Sequence, residues 1–290
     1  LSYTTSFEPA RAAGAVEKRI ARPNALIKRL HDRDIYVIAR VSVFQDQRLP
    51  VAWPDLALMS SSTGSVWKDH RGLMWVDPAS RDGWAYNVGV AREALERGFD
   101  EINFDYIRFP SDGNLNDVRF PAWDETTPPR EVIASFWRFL RSELPDARLS
   151  ADVFGLTTVA RDDLGIGQQF EDTLPSFDAV APMVYPSHYA GGSFGYAKPA
   201  QNPYAVVYES VASALTRMSA FDRATTTPPL RATLRPWLQD FDLGATYTAD
   251  MVRAQIQAVS DAASTTPELV SGWMLWDPEN RYTEEALGVR

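Results

Sequence analysis

Short apolar runs rich in β-branched residues alternate with longer amphipathic stretches along the 290 residues of the chain. The apolar runs predict six strands, at Asp34–Phe44, Phe99–Arg108, Arg148–Phe154, Phe177–Tyr185, Leu230–Trp237 and Val270–Trp276. The amphipathic stretches predict helices at Val16–Arg33, Trp84–Arg97, Arg130–Glu143, Pro203–Ala220 and Thr248–Ala263. Strands that alternate with helices indicate βαβ units and therefore a parallel sheet.

Two architectures are built from such units, an open doubly wound sheet and a closed (β/α)8 barrel. No glycine-rich phosphate turn follows any of the predicted strands, so the nucleotide-binding form of the open sheet lacks its signature. Polar and aromatic residues instead crowd the C-terminal ends of the strands, where barrel enzymes carry their chemistry. The sequence therefore predicts a TIM-type (β/α)8 barrel. No low-complexity linker divides the chain, so we expect a single domain over residues 1–290.

The connection Gln45–Arg81 shows no clear helical pattern and is long enough to be functional. It contains three tryptophans, of which we expect at least one to line a cleft: Trp53, Trp67 and Trp75. A second long loop above the predicted barrel mouth, Pro121–Pro129, is made rigid by its prolines. Three other tryptophans are interpreted as packing residues: Trp84, Trp123 and Trp137.

The composition excludes several classes of protein. There are 38 acidic and 29 basic residues, a net charge of −9 and a pI near 4.9, which argues against nucleic acid as a partner. Without cysteine the chain has no disulfide framework and no zinc–sulfur site, and its three histidines are too far apart in sequence to indicate a histidine-based metal site. We therefore expect no metal and no cofactor. No apolar run approaches the roughly 20 residues of a membrane-spanning helix.

The run Phe99–Gly113, FDEINFDYIRFPSDG, carries the most chemistry. Alternate residues of a strand share a face, so Glu101, Asn103 and Asp105 point the same way. Three polar residues on one face are costly in an ordinary core but can open onto a substrate cleft in a barrel. Asp105 stands nearest the C-terminal mouth. It could instead form a buried ion pair with an arginine, Arg108 or Arg40.

This run resembles the bacterial putative glycosyl hydrolase domain family, whose members are expected to be (β/α)8 barrels. Six further segments match the family in its order: IYVIARVSVF (Ile35–Phe44), WVDP (Trp75–Pro78), SADVFG (Ser150–Gly155), PMVYPSHY (Pro182–Tyr189), RPWLQDF (Arg235–Phe241) and GWMLWDP (Gly272–Pro278). In that order the predicted strands are strands three to eight of a barrel. Because Leu1–Ser6 resembles the segment just after strand two, we expect the first two strands to lie upstream of Leu1.

The same strand is similar to the chitinase signature, with two departures. Asp100 and Asp105 match two of its three alternating aspartates, and Asn103 replaces the remaining one. Ile107 occupies the place of the glutamate acid, and Pro186 replaces an aspartate expected on a later strand. Since both the acid and the acetamide-orienting aspartate are missing, substrate-assisted chitinolysis is disfavoured.

Glycosidases usually need two carboxyl groups, one as proton donor and one as nucleophile or base. Asp105 is the first candidate, and Asp152, at the end of the next strand, is the second. Neighbouring strands lie about 4.8 Å apart, so carboxylates at their tops can flank one glycosidic bond. We assign Asp105 as nucleophile or base and Asp152 as general acid. Exchanged roles stay open, as does a purely structural role of Asp152 as an N-cap or loop residue.

Other residues near the predicted mouth suit sugar binding. Arginine side chains can donate hydrogen bonds to sugar hydroxyls or hold a carboxylate ionised, and indole faces stack on sugar rings. Polar side chains that follow the strand ends could also contact hydroxyls. The arginines could equally belong to an internal ion-pair network. The predicted substrate-binding residues are Arg40, Asn103, Arg108, Trp75, Tyr185, His188, Arg235, Trp237, Gln239, Trp276 and Asp277.

The leading hypothesis is a glycoside hydrolase that cleaves a polysaccharide. The acidic balance would attract cations, which favours amino-sugar polymers over uronic or sulfated glycans. Two alternatives stay open, a non-catalytic carbohydrate-binding barrel and a metal-assisted hydrolase using Asp105, Asp152 and His188. The chain begins at Leu1 without a leader. We expect a monomer that is secreted or held at a bacterial surface, with its targeting segment removed.

Overall fold

The computed structural model describes residues 1–224 and 229–288. Two compact units account for the chain. The N-terminal unit comprises Leu1–Ala151 with Gly165–Gln168, and the C-terminal unit comprises Asp152–Leu164 with Gln169–Arg290. The expectation of a single barrel domain stays a prediction.

The N-terminal unit contains five helices and four complete strands within the described residues. Its helices are α1 (Glu8–Ala12), α2 (Pro23–His31), α3 (Leu49–Ala52), α4 (Arg81–Glu96) and α5 (Pro129–Glu143). Its strands are β1 (Ile38–Ser42), β2 (Met59–Ser60), β3 (Glu101–Asp105) and β4 (Val118–Arg119), and the first half of β5 (Leu149–Phe154) belongs to it as well. β1 runs parallel to β3 with Arg40 beside Asn103 and Ser42 beside Asp105, and β3 runs parallel to β5 with Phe104 beside Ala151.

Local signals set the ends of α4 and α2. The Ser80 hydroxyl accepts a hydrogen bond from the Gly83 N–H, so α4 begins before the expected Trp84. Gly98 follows the helix with a φ of 101°, a left-handed conformation that glycine adopts readily. α2 is shorter than the predicted helix from Val16 because Pro23 occupies its first turn, where a missing N–H costs nothing.

The core of the N-terminal unit is aromatic. Trp84 of α4 packs against Phe136 of α5 with ring centroids 5.2 Å apart, and Phe44 lies 5.0 Å from the same ring. Trp137 of α5 is fully buried, which agrees with its interpretation as a packing residue. Burial of rings of this size supplies several kcal/mol per side chain at about 25 cal/mol per Å².

The two long connections of this unit are joined to each other. β2 pairs with β4 in antiparallel fashion, and the Ser60 hydroxyl donates to Asp117 over 2.6 Å. The indole of Trp67 donates to the Asn114 carbonyl over 3.1 Å. The connection from β1 to α4 therefore has sheet structure that its sequence pattern did not predict.

The C-terminal unit continues the alternation of strands and helices. Besides the second half of β5 it contains α6 (Phe170–Thr173), β6 (Ala179–Met183), α7 (Pro203–Ala224), β7 (Thr233–Leu234), β8 (Trp237–Gln239), α8 (Ala249–Ala262) and β9 (Met274–Trp276). β6 runs parallel to β7 and to β8, and β8 runs parallel to β9.

All six predicted strand positions are confirmed. The one at Leu230–Trp237 is divided into β7 and β8 around Arg235 and Pro236, because proline has no N–H to continue the ladder. α7 is described as far as Ala224, four residues beyond its predicted end, and α8 begins after Thr248, whose hydroxyl caps it. In residues 1–224 and 229–288 no helix combines the length and apolar character needed to cross a membrane.

Candidate active site

Asp105 is the last residue of β3 and is only 4% exposed. The guanidinium of Arg40, on the neighbouring strand β1, forms an ion pair with its Oδ2. The backbone N–H of Tyr106 donates to its other oxygen, Oδ1, over 2.6 Å. Asp105 therefore has one charged donor and one neutral donor, each at a different oxygen. Of the two arginines considered as partners, Arg40 forms this ion pair, and the Asp105 charge also acts on Arg108.

Tyr106, which sequence reasoning did not single out, sits in a strained backbone conformation. Its φ is 55°, in the left-handed region that a residue with a Cβ rarely adopts. This turn places its ring 6.2 Å from Trp75 in an edge-on contact and 5.7 Å from the Arg108 guanidinium. Burial and the Asp105 charge raise the pKa of the Tyr106 hydroxyl. No local composition signal marks such a residue, since glycine would be the usual choice.

Arg108 and Trp75 form a buried stack. The guanidinium of Arg108 lies 4.7 Å above the indole and donates to the Phe109 carbonyl and the Ser111 hydroxyl. Burial lowers the pKa of Arg108. Trp75 is 1% exposed, and its N–H donates to Asp69 over 3.1 Å. Trp67, in the same connection, is also buried.

The other polar residues of β3 are bonded across strands. The Asn103 amide donates to the Ser150 hydroxyl of β5 over 3.1 Å, and that hydroxyl donates to Glu101. The Tyr36 hydroxyl donates to the second oxygen of Glu101 over 3.2 Å. Glu101 and Asn103 are therefore buried polar groups with partners, as buried polar groups generally need.

In the C-terminal unit, Asp152 lies inside β5 and is 1% exposed. It therefore does not cap a helix. The indole N–H of Trp237, on β8, donates to its Oδ1 over 2.7 Å. Trp237 also packs edge-on against Trp276 of β9, with ring centroids 5.9 Å apart. The structure thus brings together three residues that the sequence nominated separately.

A second cluster lies beyond β6 and β8. The rings of Tyr185 and His188 are 5.2 Å apart, and Phe241 packs 5.5 Å from Tyr185 and 6.1 Å from His188. Gln239 accepts from the Ser187 N–H over 3.1 Å and donates to the Phe241 carbonyl over 2.9 Å, which ties the two loops together. Burial lowers the pKa of His188 and favours the neutral imidazole. Phe241 was missed, although it ends the RPWLQDF segment.

Asp277 and Arg235 have local structural contacts. The Asp277 carboxylate accepts from the N–H groups of Glu279 and Arg281 over 2.7 and 3.0 Å, which fixes the turn after β9. The backbone N–H of Arg235 donates to the Val180 carbonyl of β6 over 2.9 Å. In the part of the chain that the structure describes, no three His, Asp or Glu side chains are grouped so that they could hold a metal ion.

Solved structures resemble this chain. A hypothetical protein from Ruminiclostridium thermocellum ATCC 27405 is 34% identical over 57% of this chain and 78% of its own, with a TM-score of 0.49. The α-galactosidase TtGalA from Thermus thermophilus is 13% identical over 91% of this chain, with a TM-score of 0.54, and the chain spans about half (48%) of its length. The PgaB (BpsB) glycoside hydrolase domain from Bordetella bronchiseptica is 15% identical over 83% of this chain and 70% of its own, with a TM-score of 0.53.

The likeness to the last two structures shows the fold. The chain is an α/β protein of the (β/α)8 TIM-barrel type, with fewer than eight parallel strands in the described residues. No curated protein matches the chain at a significant level. The family described as "Putative glycosyl hydrolase domain" matches residues 1–282, nearly the whole length. The chain therefore belongs to the putative glycosyl hydrolase domain family.

Proposed function

We propose that this chain is the catalytic domain of a glycoside hydrolase that cleaves a polysaccharide with two aspartates. The observation that carries the proposal is Asp105, a buried carboxylate at the end of a barrel strand, paired with Arg40 and bonded by the Tyr106 N–H. An anion held in place by two donors is prepared to attack or to deprotonate. Membership of the family supports the same reaction class.

In this proposal Asp105 is the nucleophile or base and Asp152 is the general acid. The choice follows from the positions of the two residues on consecutive parallel strands of the chain, Asp105 at the end of β3 and Asp152 on β5. Asp152 would protonate the glycosidic oxygen as the bond to the anomeric carbon breaks. The indole N–H of Trp237, which donates to Oδ1 of Asp152, would orient this carboxyl group.

The proposed substrate is a polymer that contains amino sugars. The net charge of −9 favours a cationic glycan over a polyanionic one. Trp276 and the cluster of Tyr185, His188 and Phe241 would supply the apolar faces on which sugar rings pack. The proposed protein is a monomer that acts outside the bacterial cell or at its surface.

The decisive experiment is a product profile from a glycan panel that includes hexosamine polymers, neutral glycans and polyuronates. We expect the wild-type chain to release products from hexosamine polymers and Asp105→Asn to release none. Asp55→Asn, which alters an exposed aspartate of the same unit, is the matched control and should behave as the wild type. Undiminished turnover by Asp105→Asn would refute the role of Asp105.

A second candidate function is a carbohydrate-binding barrel without turnover. Ile107 favours it, because this fully buried side chain stands where the related chitinase signature has its acid. Binding of panel glycans with no product from any of them would support this alternative. Loss of product in Asp152→Asn, with binding retained, would exclude it.

A further inference from the structure

A cavity of about 340 Å³ opens in the N-terminal unit, and its lining contains none of the candidate catalytic or sugar-binding residues. It lies between the first turns of α4 and α5 and the connection at 122–127. The side chains that matter for its chemistry are Arg81, Trp84, Trp123, Asp124, Glu131 and Ser135. A volume of this size is at the lower end of the roughly 300–1,000 Å³ of ligand pockets, which suits a single sugar ring.

The wall of the cavity is fixed by a buried carboxylate. Asp77, which is 0% exposed, accepts hydrogen bonds from the N–H groups of Ala79, Ala122 and Trp123 over 2.7 to 3.1 Å. Trp123 also packs edge-on against Phe109, with centroids 4.9 Å apart. The cavity is therefore preformed, which lowers the entropy cost of filling it.

Two indoles line the cavity with their polar atoms already satisfied. The N–H of Trp84 donates to the Pro78 carbonyl over 2.7 Å, and the N–H of Trp123 donates to the Thr127 carbonyl over 2.8 Å. Because their N–H groups are already bonded, the indoles can offer a ligand only the faces of their rings. Trp84 is covered by the Arg81 guanidinium, 3.8 Å above its ring, so Trp123 supplies the face for stacking.

The charged groups around that face are not neutralised by one another. Arg81 and Glu131 border the same cavity, yet within residues 1–224 and 229–288 neither forms an ion pair or a side-chain hydrogen bond. The Asp124 carboxylate accepts from the N–H groups of Thr126 and Thr127, but it keeps its negative charge. Two carboxylates and one guanidinium thus leave the cavity with an excess of negative charge and unused hydrogen-bonding capacity.

We propose that this cavity binds one hexosamine unit of a glycan outside the active site. The ammonium group would lie at Glu131 and Asp124, the hydroxyl groups would accept from Arg81, and the apolar face of the ring would stack on Trp123. A uronate would place its carboxylate against Glu131 and Asp124 and would be rejected. The proposal concerns binding alone, so it does not depend on the chain being a hydrolase.

The test uses the full chain labelled with 15N at the tryptophan indoles, titrated with glucosamine, glucose and glucuronate. Trp123→Phe, Trp237→Phe and Trp276→Phe assign the signals of interest. We expect glucosamine to shift the Trp123 signal, glucose to shift it at higher concentration, and glucuronate to leave it in place. Glu131→Gln should weaken the binding of glucosamine about fivefold. Glu268→Gln, which alters an exposed glutamate of the other unit, should not weaken it.

A Trp123 signal that does not move, or that moves equally with all three sugars, would overturn the proposal. So would shifts confined to Trp237 and Trp276, because they would place the sugar elsewhere. An unchanged affinity in Glu131→Gln would count against it as well, and the untouched signals of that variant show whether it has folded. The product profile is a separate measurement, so failure of the proposed function would be distinguished from failure of this one.

Discussion

Trp237 contacts a candidate catalytic group and a second aromatic ring at once. Its N–H donates to Asp152 and its ring packs on Trp276. The hydrogen bond fixes one oxygen of a carboxyl group that the proposed reaction uses as an acid. The ring contact is independent of it, so the two roles can be separated by a substitution that keeps the ring.

We predict that Trp237→Phe lowers kcat about tenfold and leaves KM nearly unchanged. The loss corresponds to one hydrogen bond of about 1.4 kcal/mol to a reacting group. Steady-state kinetics on the glycan identified by the product profile measures it. Trp137→Phe, at a buried packing position of the other unit, is the control. A rise in KM at constant kcat would show instead that Trp237 only binds sugar.

At the residue scale the sequence nominates chemically unusual side chains but does not predict backbone geometry. Asp105 could be nominated because a carboxylate at a strand end is chemically unusual and easy to notice. Tyr106 could not be nominated, because its φ of 55° results from the surrounding packing and the amino-acid composition gives no sign of it. The ion pair of Asp105 with Arg40 was one of two that the sequence allowed, and coordinates were needed to identify it.

The element that follows β5 is held by a close backbone approach. A Cβ added to Gly155 would lie 2.4 Å from the Met183 carbonyl oxygen and 2.7 Å from the Tyr189 hydroxyl. No side-chain motion relieves contact with a backbone atom, so the strand end and its neighbour would have to separate. The segment concerned directly follows the strand that carries Asp152.

We predict that Gly155→Ala lowers the free energy of unfolding by about 2–3 kcal/mol, the usual cost of overpacking. Urea denaturation monitored by tryptophan fluorescence measures the change. Gly64→Ala is the comparison, because its added methyl meets nothing within 4 Å and costs only left-handed strain of about 1 kcal/mol. Equal stability of the wild type and Gly155→Ala would contradict the close approach.

A buried ion pair connects α6 to α7. Arg217, on α7, donates through Nε and Nη2 to both oxygens of Glu171, over 2.7 and 2.6 Å, and also donates to the Thr157 and Ala160 carbonyls. Burial alone would raise the pKa of Glu171, but the bonds from Arg217 and Gln169 outweigh it and lower the pKa from 4.5 to about 2. The pair therefore stabilises the fold only while Glu171 is ionised.

We predict that Glu171→Gln costs about 3 kcal/mol of stability at pH 7. Because the pKa of the folded state is below that of the unfolded state, this stabilisation is complete above about pH 4.5 and is lost as the pH falls towards 2. The gap between wild type and variant should shrink accordingly in denaturation curves at pH 7, 4 and 3. Glu209→Gln, at an exposed position of α7, should show no such dependence on pH.

At the element scale, periodicity predicted which strands and helices exist more reliably than where each begins and ends. Six strand positions were found because buried parallel strands are continuous apolar runs. The predicted strand at Leu230–Trp237 is divided at Pro236 because proline has no backbone N–H to donate, and a hydrophobic pattern does not reveal the loss of one N–H. Likewise α4 begins earlier than its predicted start because Ser80 caps it, which is a matter of local hydrogen bonding.

For the molecule as a whole, net charge is the property with the broadest consequence. A chain of charge −9 attracts cationic polymers over a Debye length of about 10 Å at 0.1 M salt. We predict that kcat/KM on a partly deacetylated hexosamine polymer falls severalfold between about 50 and 300 mM NaCl. A neutral glycan of equal length is the control. The same loss of rate on both substrates would exclude charge steering.

The fold class of the whole molecule followed from the alternation of strands and helices, and the comparisons with solved structures confirm it. The antiparallel pairing of β2 with β4 did not follow from it. Each of these strands is only two residues long, so neither has a periodicity of its own, and their pairing depends on residues far apart in sequence. The cavity beside Trp123 could not be foreseen for the same reason.

That pairing has a consequence for how the protein can diversify. Three contacts join the two long connections to each other. They are the pairing of β2 with β4, the hydrogen bond between Ser60 and Asp117, and the hydrogen bond between Asp77 and the Ala122 N–H. Neither connection can be exchanged alone without leaving the other's polar groups unmatched. The two connections therefore form one structural unit. A chimera that takes both connections from a relative should fold, and a chimera that takes only one of them should not.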